Sequence, residues 1–306
     1  MTHKIRVVFF GTEAWAVPTL EALIEQFEVV AVVTKPDAPS GRGHRLTSSP
    51  IKEVAVRCKI PVLEPEKLAS VAKEMVDLQA DFGVVIAYGK LIPDGIIDSF
   101  DHGIINCHPS ALPRHRGPSP IEAAILAGDR VTVSIIQLCA EMDAGDVLAK
   151  AELSGHHDGI DAPALYAAAG LVGAELIVEV IHGLGDGTIT PHPQDRAQAT
   201  FSPMIAKLDG IIDWTKPATL LEREIRAYAG WPASKTVLKG RDIIITSAHV
   251  AAMSPATTTT PGTPLLTYDG SLAFQTGQGL LVVDSLKPAG KREMTGQAYL
   301  AGHSLP

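Results

Sequence analysis

An alternation in the first half of the chain, between short uninterrupted apolar runs and longer amphipathic stretches, constrains the fold more than any other feature. Ile5 to Phe10, Glu28 to Thr34, Phe82 to Ala87 and Gly103 to Asn106 are apolar, largely β-branched or aromatic, and bounded by Gly, Pro or polar residues. Such runs predict strands buried on both faces. Thr19 to Gln26 and Ile121 to Leu126 carry helical spacing instead. Buried strands alternating with helices predict an α/β domain with a doubly wound, mainly parallel sheet. Ligands of such sheets bind beyond the carboxyl ends of the strands, where Gly11, Gly89 and Asn106 would lie. Asp161 to Leu184 predicts a long closing helix, with Asp161 as its cap and Pro163 in its first turn.

Chemistry concentrates at that edge. The run GIINCHPSALP, Gly103 to Pro113, leaves a strand and enters a proline-rich loop. Alternate strand residues share a face, so Asn106 and His108 are expected in one cleft and Cys107 on the other side. The turn EMDAGD, Glu141 to Asp146, follows the next strand and can bring in a carboxylate. Transfer of an acyl group to an amine needs a donor aimed at the developing oxyanion and a group that moves protons near neutral pH. A fixed amide N–H of Asn106 suits the first task, and a donor of that kind is worth roughly 3 to 4 kcal/mol. His108 suits the second, with Asp143 holding its tautomer and Asp146 the rival for that role. Alone, Asn106 and Asp146 read as turn formers and His108 more often as a structural histidine; together the residues suit acyl transfer, which requires no covalent nucleophile.

The order Asn-x-His-Pro-Ser-x-Leu-Pro followed by Asp-x-Gly resembles the folate-dependent formyltransferases. That resemblance implies 10-formyltetrahydrofolate as the formyl donor and Asn106, His108 and Asp143 as the catalytic residues. It further implies a folate-contacting run at Ser110, Ala111, Leu112 and Pro113, in which Ala111 stands where the family usually has Leu, and a cis bond at Leu112-Pro113. The stretch AYGKLIP, Ala87 to Pro93, is similar to the family loop that cradles the pterin, which puts Tyr88, Leu91 and Ile92 among the folate contacts. The opening GTEAWAVP, from Gly11, resembles the motif Gly-Thr-Pro-x-Phe-Ala of one subgroup, with Glu13 and Trp15 as departures. It lacks the Gly-x-Gly-x-x-Gly spacing of a dinucleotide site, so NAD or FAD is a weak reading.

The acceptor is a separate question, and two regions bear on it. Lys35 to Pro50, KPDAPSGRGHRLTSSP, is too polar and too rich in Gly and Pro for a regular element, and carries Arg42 and Arg45 near the catalytic edge. It matches a Gly-Arg-Gly insertion of the family; arginine on such a loop pairs with phosphates or stacks on an RNA end. The second region is the C-terminal hundred residues. After the polar stretch Asp186 to Ala199 come a helical pattern near Leu220 to Ala229 and strand candidates at Lys235 to Leu238, Asp242 to Val250, Leu265 to Thr267 and Leu280 to Ser285. Regularly punctuated short strands predict a small barrel, and the resemblance implies an OB-like one. The expected domains are catalytic 1–188, a linker 189–207 and an OB-like RNA-binding domain 208–306.

Charge follows the same division. From Lys207 onward the chain has ten Lys and Arg against eight Asp and Glu; the remainder has 16 against 26. The basic excess locates an RNA contact on the second domain. GWPASKTVLKG from Gly230 and LKPAGKREMTGQAYL from Leu286 resemble segments of the subgroup that formylates initiator methionyl-tRNA, which makes Lys207, Lys287, Lys291 and Arg292 candidate phosphate contacts. Nearly half of the 306 residues are apolar, and the three cysteines show no metal or disulfide spacing, so no metal and a reducing cytoplasm are expected. The start reads straight into a strand rather than a signal peptide, no stretch is a convincing membrane span, and a monomer is expected. Alternatives at this point are a nucleotide-sugar N-formyltransferase, a formyltetrahydrofolate hydrolase and a non-catalytic RNA-binding protein.

Overall fold

Val7 to Phe10 are all completely inaccessible, which requires the strand that holds them to be covered on both faces. In the computed structural model this strand, β1 (Arg6–Gly11), is an interior strand of a seven-stranded sheet, between β2 and β6. The structure describes residues 4–40, 45–155, 158–252, 259–303 and 305. The chain continues through α1 (Val17–Gln26), β2 (Glu28–Val33), β3 (Ala38–Ser40), β4 (Arg45–Thr47), α2 (Pro50–Arg57), β5 (Val62–Leu63), α3 (Ala72–Asp77) and β6 (Phe82–Ile86). There follow α4 (Asp94–Ile97), β7 (Ile104–His108), α5 (Pro120–Ala127), β8 (Thr132–Gln137), β9 (Val147–Glu152) and α6 (Ala162–Gly185). It divides into two compact units, one from Met1–Pro120, Val131–Gly155 and Tyr166–Ser202, the other from Ile121–Arg130, His156–Leu165 and Pro203–Pro306.

In the first unit the strand order is β5-β2-β1-β6-β7-β8-β9. The strands from β5 to β7 are parallel, whereas β8 runs antiparallel to β7 and β9 antiparallel to β8. The sheet is therefore mixed at one edge: β8 is the reversed strand, and the turn from β8 to β9 is too brief for the crossover that a parallel pair would require. One face of β1 sends Val8 and Phe10 into a cluster with Ala31, Val33, Met75 and Ile104. Helix α6 is long and apolar enough to cross a membrane by composition. Its residues instead close the sheet: Cβ atoms built on Gly170 and Gly173 would stand 2.2 Å from the Trp15 carbonyl oxygen and 2.6 Å from Cys107 Sγ. Asp161 caps it, accepting from the Ala164 amide at 3.0 Å.

The loop from Lys35 to Pro50 is more regular than its composition implies. Strands β3 and β4 pair antiparallel, Ala38 with Thr47 and Ser40 with Arg45. Its base is tied down by Asp37, which accepts from Lys52 Nζ at 2.9 Å, so tertiary contacts override the Gly and Pro content. The tip, including Arg42, lies outside the described residues.

The second unit contains α7 (Ala218–Ala227), β10 (Ser234–Leu238), β11 (Arg241–Val250), β12 (Pro264–Leu266), β13 (Leu272–Gln275), β14 (Leu280–Pro288), β15 (Met294–Thr295) and α8 (Gly296–Gly302). Its sheet is antiparallel, in the order β10-β11-β14-β13-β12 with β15 on β14, and curls in the barrel-like manner expected. Leu221 and Ile225, one turn apart on α7, pack with Ile243, Ile245, Phe274 and Leu281. Strands β13 and β15 and helix α8 were not legible in the sequence; each is short and punctuated by Gly. Two peptide bonds among the described residues are cis, Leu112-Pro113 and Trp231-Pro232.

Candidate active site

Strand β7 delivers Asn106 and His108 to the carboxyl edge on one face, and the β8–β9 turn places a carboxylate between them. Asn106 Nδ2 donates to Asp143 Oδ1 at 3.3 Å, and His108 Nδ1 stands 3.6 Å from Asp143 Oδ2. The side chains of His108 and Asp143 are only 7% and 12% exposed, so their interaction is weakly screened. The other ring nitrogen, Nε2, lies 3.0 Å from the His115 carbonyl oxygen. A neutral imidazole carries one N–H, enough for the His115 carbonyl; the imidazolium also faces Asp143 as an ion pair. The Gly117 amide completes the carboxylate's shell at 2.8 Å.

The turn that carries Asp143 depends on close backbone approach. Asp143 itself has φ +50°, an uncommon conformation for a residue with a Cβ. Gly145 is obligatory, since a Cβ there would stand 1.7 Å from the Gln137 carbonyl oxygen. Asp146, the rival carboxylate, contributes its backbone carbonyl to the Gln137 amide, and the contacts to Asn106 and His108 belong to Asp143. Cys107 points to the opposite face, as the strand period requires. It is buried, and desolvation pushes its thiol up to about 12, which removes it as a nucleophile at neutral pH.

The expected folate-contact residues divide into two kinds. Tyr88 is 1% exposed and stacks edge-on against Phe10 in the core; burial pushes its phenol up to about 12. Leu112 is buried with Ile136 and Val147. Ser110 is also buried, its hydroxyl donating to the Arg114 carbonyl at 2.7 Å and its carbonyl accepting from Ser134 at 2.7 Å. These three side chains build the loop, which leaves their backbone as the part that can meet a ligand. Leu91, 84% exposed, and the part-buried Ile92, Ala111 and Pro113 retain accessible surface. Lys150 donates to the Leu112 carbonyl, and its burial lowers the ammonium pKa.

Of the residues expected to meet RNA, Lys207, Lys287, Lys291 and Arg292 are exposed on the second unit. Arg45 begins β4, with its side chain outside the described residues. Sequence reasoning missed Arg116 and Gln194. Arg116 is a fully buried cation whose Nη1 meets Glu141 Oε1 at 3.1 Å, and Gln194 belongs to the stretch expected to be a linker. That stretch packs on the first unit as far as Ser202.

The sequence matches the family described as Formyl transferase over residues 3–181, and Formyl transferase, C-terminal domain, over residues 204–304. The chain belongs to the formyl transferase family. It is 42% identical over 311 aligned positions to a methionyl-tRNA formyltransferase of Roseiflexus castenholzii, covering 99% of this chain and 97% of that one. Among solved structures, an N-formyltransferase from Helicobacter canadensis in complex with folinic acid and dTDP-3-aminofucose is similar in fold. It has TM-score 0.70 and 16% identity, covering 95% of this chain and all of that one. The methionyl-tRNA formyltransferase of Clostridium thermocellum has TM-score 0.56 and 14% identity, covering 91% and 99%. Among the described residues of this formyl transferase, no group of three or more His, Cys, Asp or Glu is arranged to hold a metal.

Proposed function

We propose that the protein transfers the formyl group of 10-formyltetrahydrofolate to the α-amine of methionyl-tRNA, giving formylmethionyl initiator tRNA in the cytoplasm. The observation that carries this reading is the convergence of Asn106, His108 and Asp143 within hydrogen-bonding or ion-pair range of one another. The full-length likeness to a methionyl-tRNA formyltransferase supports the choice of acceptor.

The amine attacks the formyl carbon, a new C–N bond forms, and the bond from that carbon to the folate nitrogen breaks. The proton lost by the amine is balanced by the one gained by the folate nitrogen. Asn106 has two amide hydrogens; one is engaged by Asp143, and the second is free to meet the oxyanion. For His108 to donate to the same oxygen, its Nε2 must leave the His115 carbonyl, while Asp143 keeps the opposite nitrogen and the positive charge. Leu91, Ile92, Ala111 and Pro113 are the residues with surface to offer the folate, and Arg42, Arg45, Lys207, Lys287, Lys291 and Arg292 are proposed to hold the tRNA.

An acceptor panel tests the reading. With 10-formyltetrahydrofolate present, methionyl-tRNA should be formylated at least a hundredfold faster than a dTDP-amino sugar. A preference for the sugar nucleotide would reject the tRNA acceptor while leaving formyl transfer intact.

A further inference from the structure

The carbonyl oxygens of Asp143 and Gly145 both point at one side-chain amide from far along the chain. Gln194 Nε2 donates to Asp143 O at 2.8 Å and to Gly145 O at 2.7 Å, which uses both of its hydrogens. Its Oε1 in turn accepts from Arg116, at 3.1 Å from Nε and 2.8 Å from Nη2. The direction of the amide is therefore fixed, because reversing it would turn its NH2 group toward the guanidinium. Arg116 itself cannot drift: it is 1% exposed, and its third contact is Glu141, at the start of the same catalytic turn.

The segment that carries Gln194 is anchored on either side. His192 exchanges two backbone hydrogen bonds with Val147, 2.8 and 2.9 Å, just after the catalytic turn. Thr200 and Ser202 pair with the loop after β7: the Arg116 amide donates to Thr200 O at 2.9 Å and the Ser202 amide to Arg116 O at 2.7 Å. That loop supplies the His115 carbonyl beside His108 and the Gly117 amide on Asp143. One stretch of chain thus touches both loops from which the catalytic groups take their orientation.

We propose that Gln194, held by Arg116, is the positioning residue that fixes Asp143 against Asn106 and His108. Gln194 and its anchors His192, Thr200 and Ser202 thereby support the catalytic turn rather than serving as a tether. The proposal rests on the formyl-transfer reading of the site. Gln194 touches no reacting atom. Its effect passes through the left-handed turn at Asp143, which two backbone carbonyls hold in place.

Gln194→Glu is the discriminating variant. It keeps the side-chain length and the contact to Arg116 but replaces two donors by a carboxylate facing two carbonyls. The expected result is a loss of at least tenfold in kcat, KM for 10-formyltetrahydrofolate within twofold of wild type, and an altered pH profile of kcat. The His108 imidazole NMR resonances, read without substrate, should move as well. Gln198→Ala is the control on the same segment: Gln198 bonds Asp195 at 2.8 Å rather than the turn, and should change none of these readouts. If Gln194→Glu does not fold, Gln194→Ala, which introduces no charge, carries the same expectation. An unchanged kcat, or a kcat lowered only with the folded fraction while the pH profile and the His108 resonances stay put, would overturn the proposal. If the wild type fails to formylate methionyl-tRNA, the functional reading falls; the resonance shift still decides whether Gln194 positions the site.

Discussion

Asp143→Asn changes one atom, and the structure shows why neither orientation of the new amide fits. If its NH2 group takes the place of Oδ2, it faces the Gly117 amide, a donor at 2.8 Å. If it takes the place of Oδ1, it faces the Asn106 amide, a donor at 3.3 Å. One hydrogen bond is lost either way, and a hydrogen bond to a charged group contributes about 1.5 to 3 kcal/mol. The charge opposite His108 is lost too. At the observed 3.6 Å and an effective dielectric of about 20, that attraction to an imidazolium is roughly 4 to 5 kcal/mol before the amide dipole recovers part of it. A net loss of about 3 to 4 kcal/mol in the transition state corresponds to roughly two to three orders of magnitude in kcat. Single-turnover formylation, with thermal unfolding as the check on folding, reads the effect. A variant within threefold of wild type would refute the reasoning; the same loss in Asp146→Asn with Asp143→Asn unaffected would move the role to Asp146.

Other perturbations separate the remaining elements. Asn106→Ala removes the oxyanion donor and should lower kcat by about a hundredfold or more with little change in melting temperature, measured by steady-state kinetics and calorimetry. Gly145→Ala places a Cβ 1.7 Å from the Gln137 carbonyl, so the turn must shift; both melting temperature and activity should fall in the same preparation. At pH 8 iodoacetamide should modify the exposed Cys58 and Cys139 but leave Cys107 unlabelled until denaturant is added, because its thiol is buried and pushed up to about 12; mass spectrometry counts the adducts. Arg42→Ala should slow formylation of methionyl-tRNA while leaving tetrahydrofolate affinity unchanged, and tRNA binding should weaken steeply with salt as phosphate contacts release counterions.

Asn106, His108 and their common face were legible because a strand repeats every two residues, a rule that needs only local sequence. The same rule put Cys107 on the far face. Asp143 was separable from Asp146 by the Asp-Ala-Gly order, and Gly145 now gives that order a steric reason. Tyr88 and Ser110 were harder: whether a side chain at a strand end turns inward depends on neighbours such as Phe10 and Ser134, distant in sequence. Gln194 was not legible at all. Its partners Arg116, Asp143 and Gly145 lie 78, 51 and 49 positions away, and nothing in a polar stretch reports which carbonyls it will meet. The β3–β4 pairing was not legible for a related reason, since its anchoring contact from Lys52 to Asp37 comes from the following helix.

The most direct measurement follows the formyl carbon itself. Protein is mixed with 10-formyltetrahydrofolate carrying a labelled formyl group and with methionyl-tRNA, and the reaction is stopped within a single turnover. The ester is then hydrolysed and the products separated. The label is expected in formylmethionine, in step with release of tetrahydrofolate, with almost none transferred when Asn106 or Asp143 is replaced. Label recovered as free formate with unmodified methionine, or transfer that survives both replacements, would contradict this expectation.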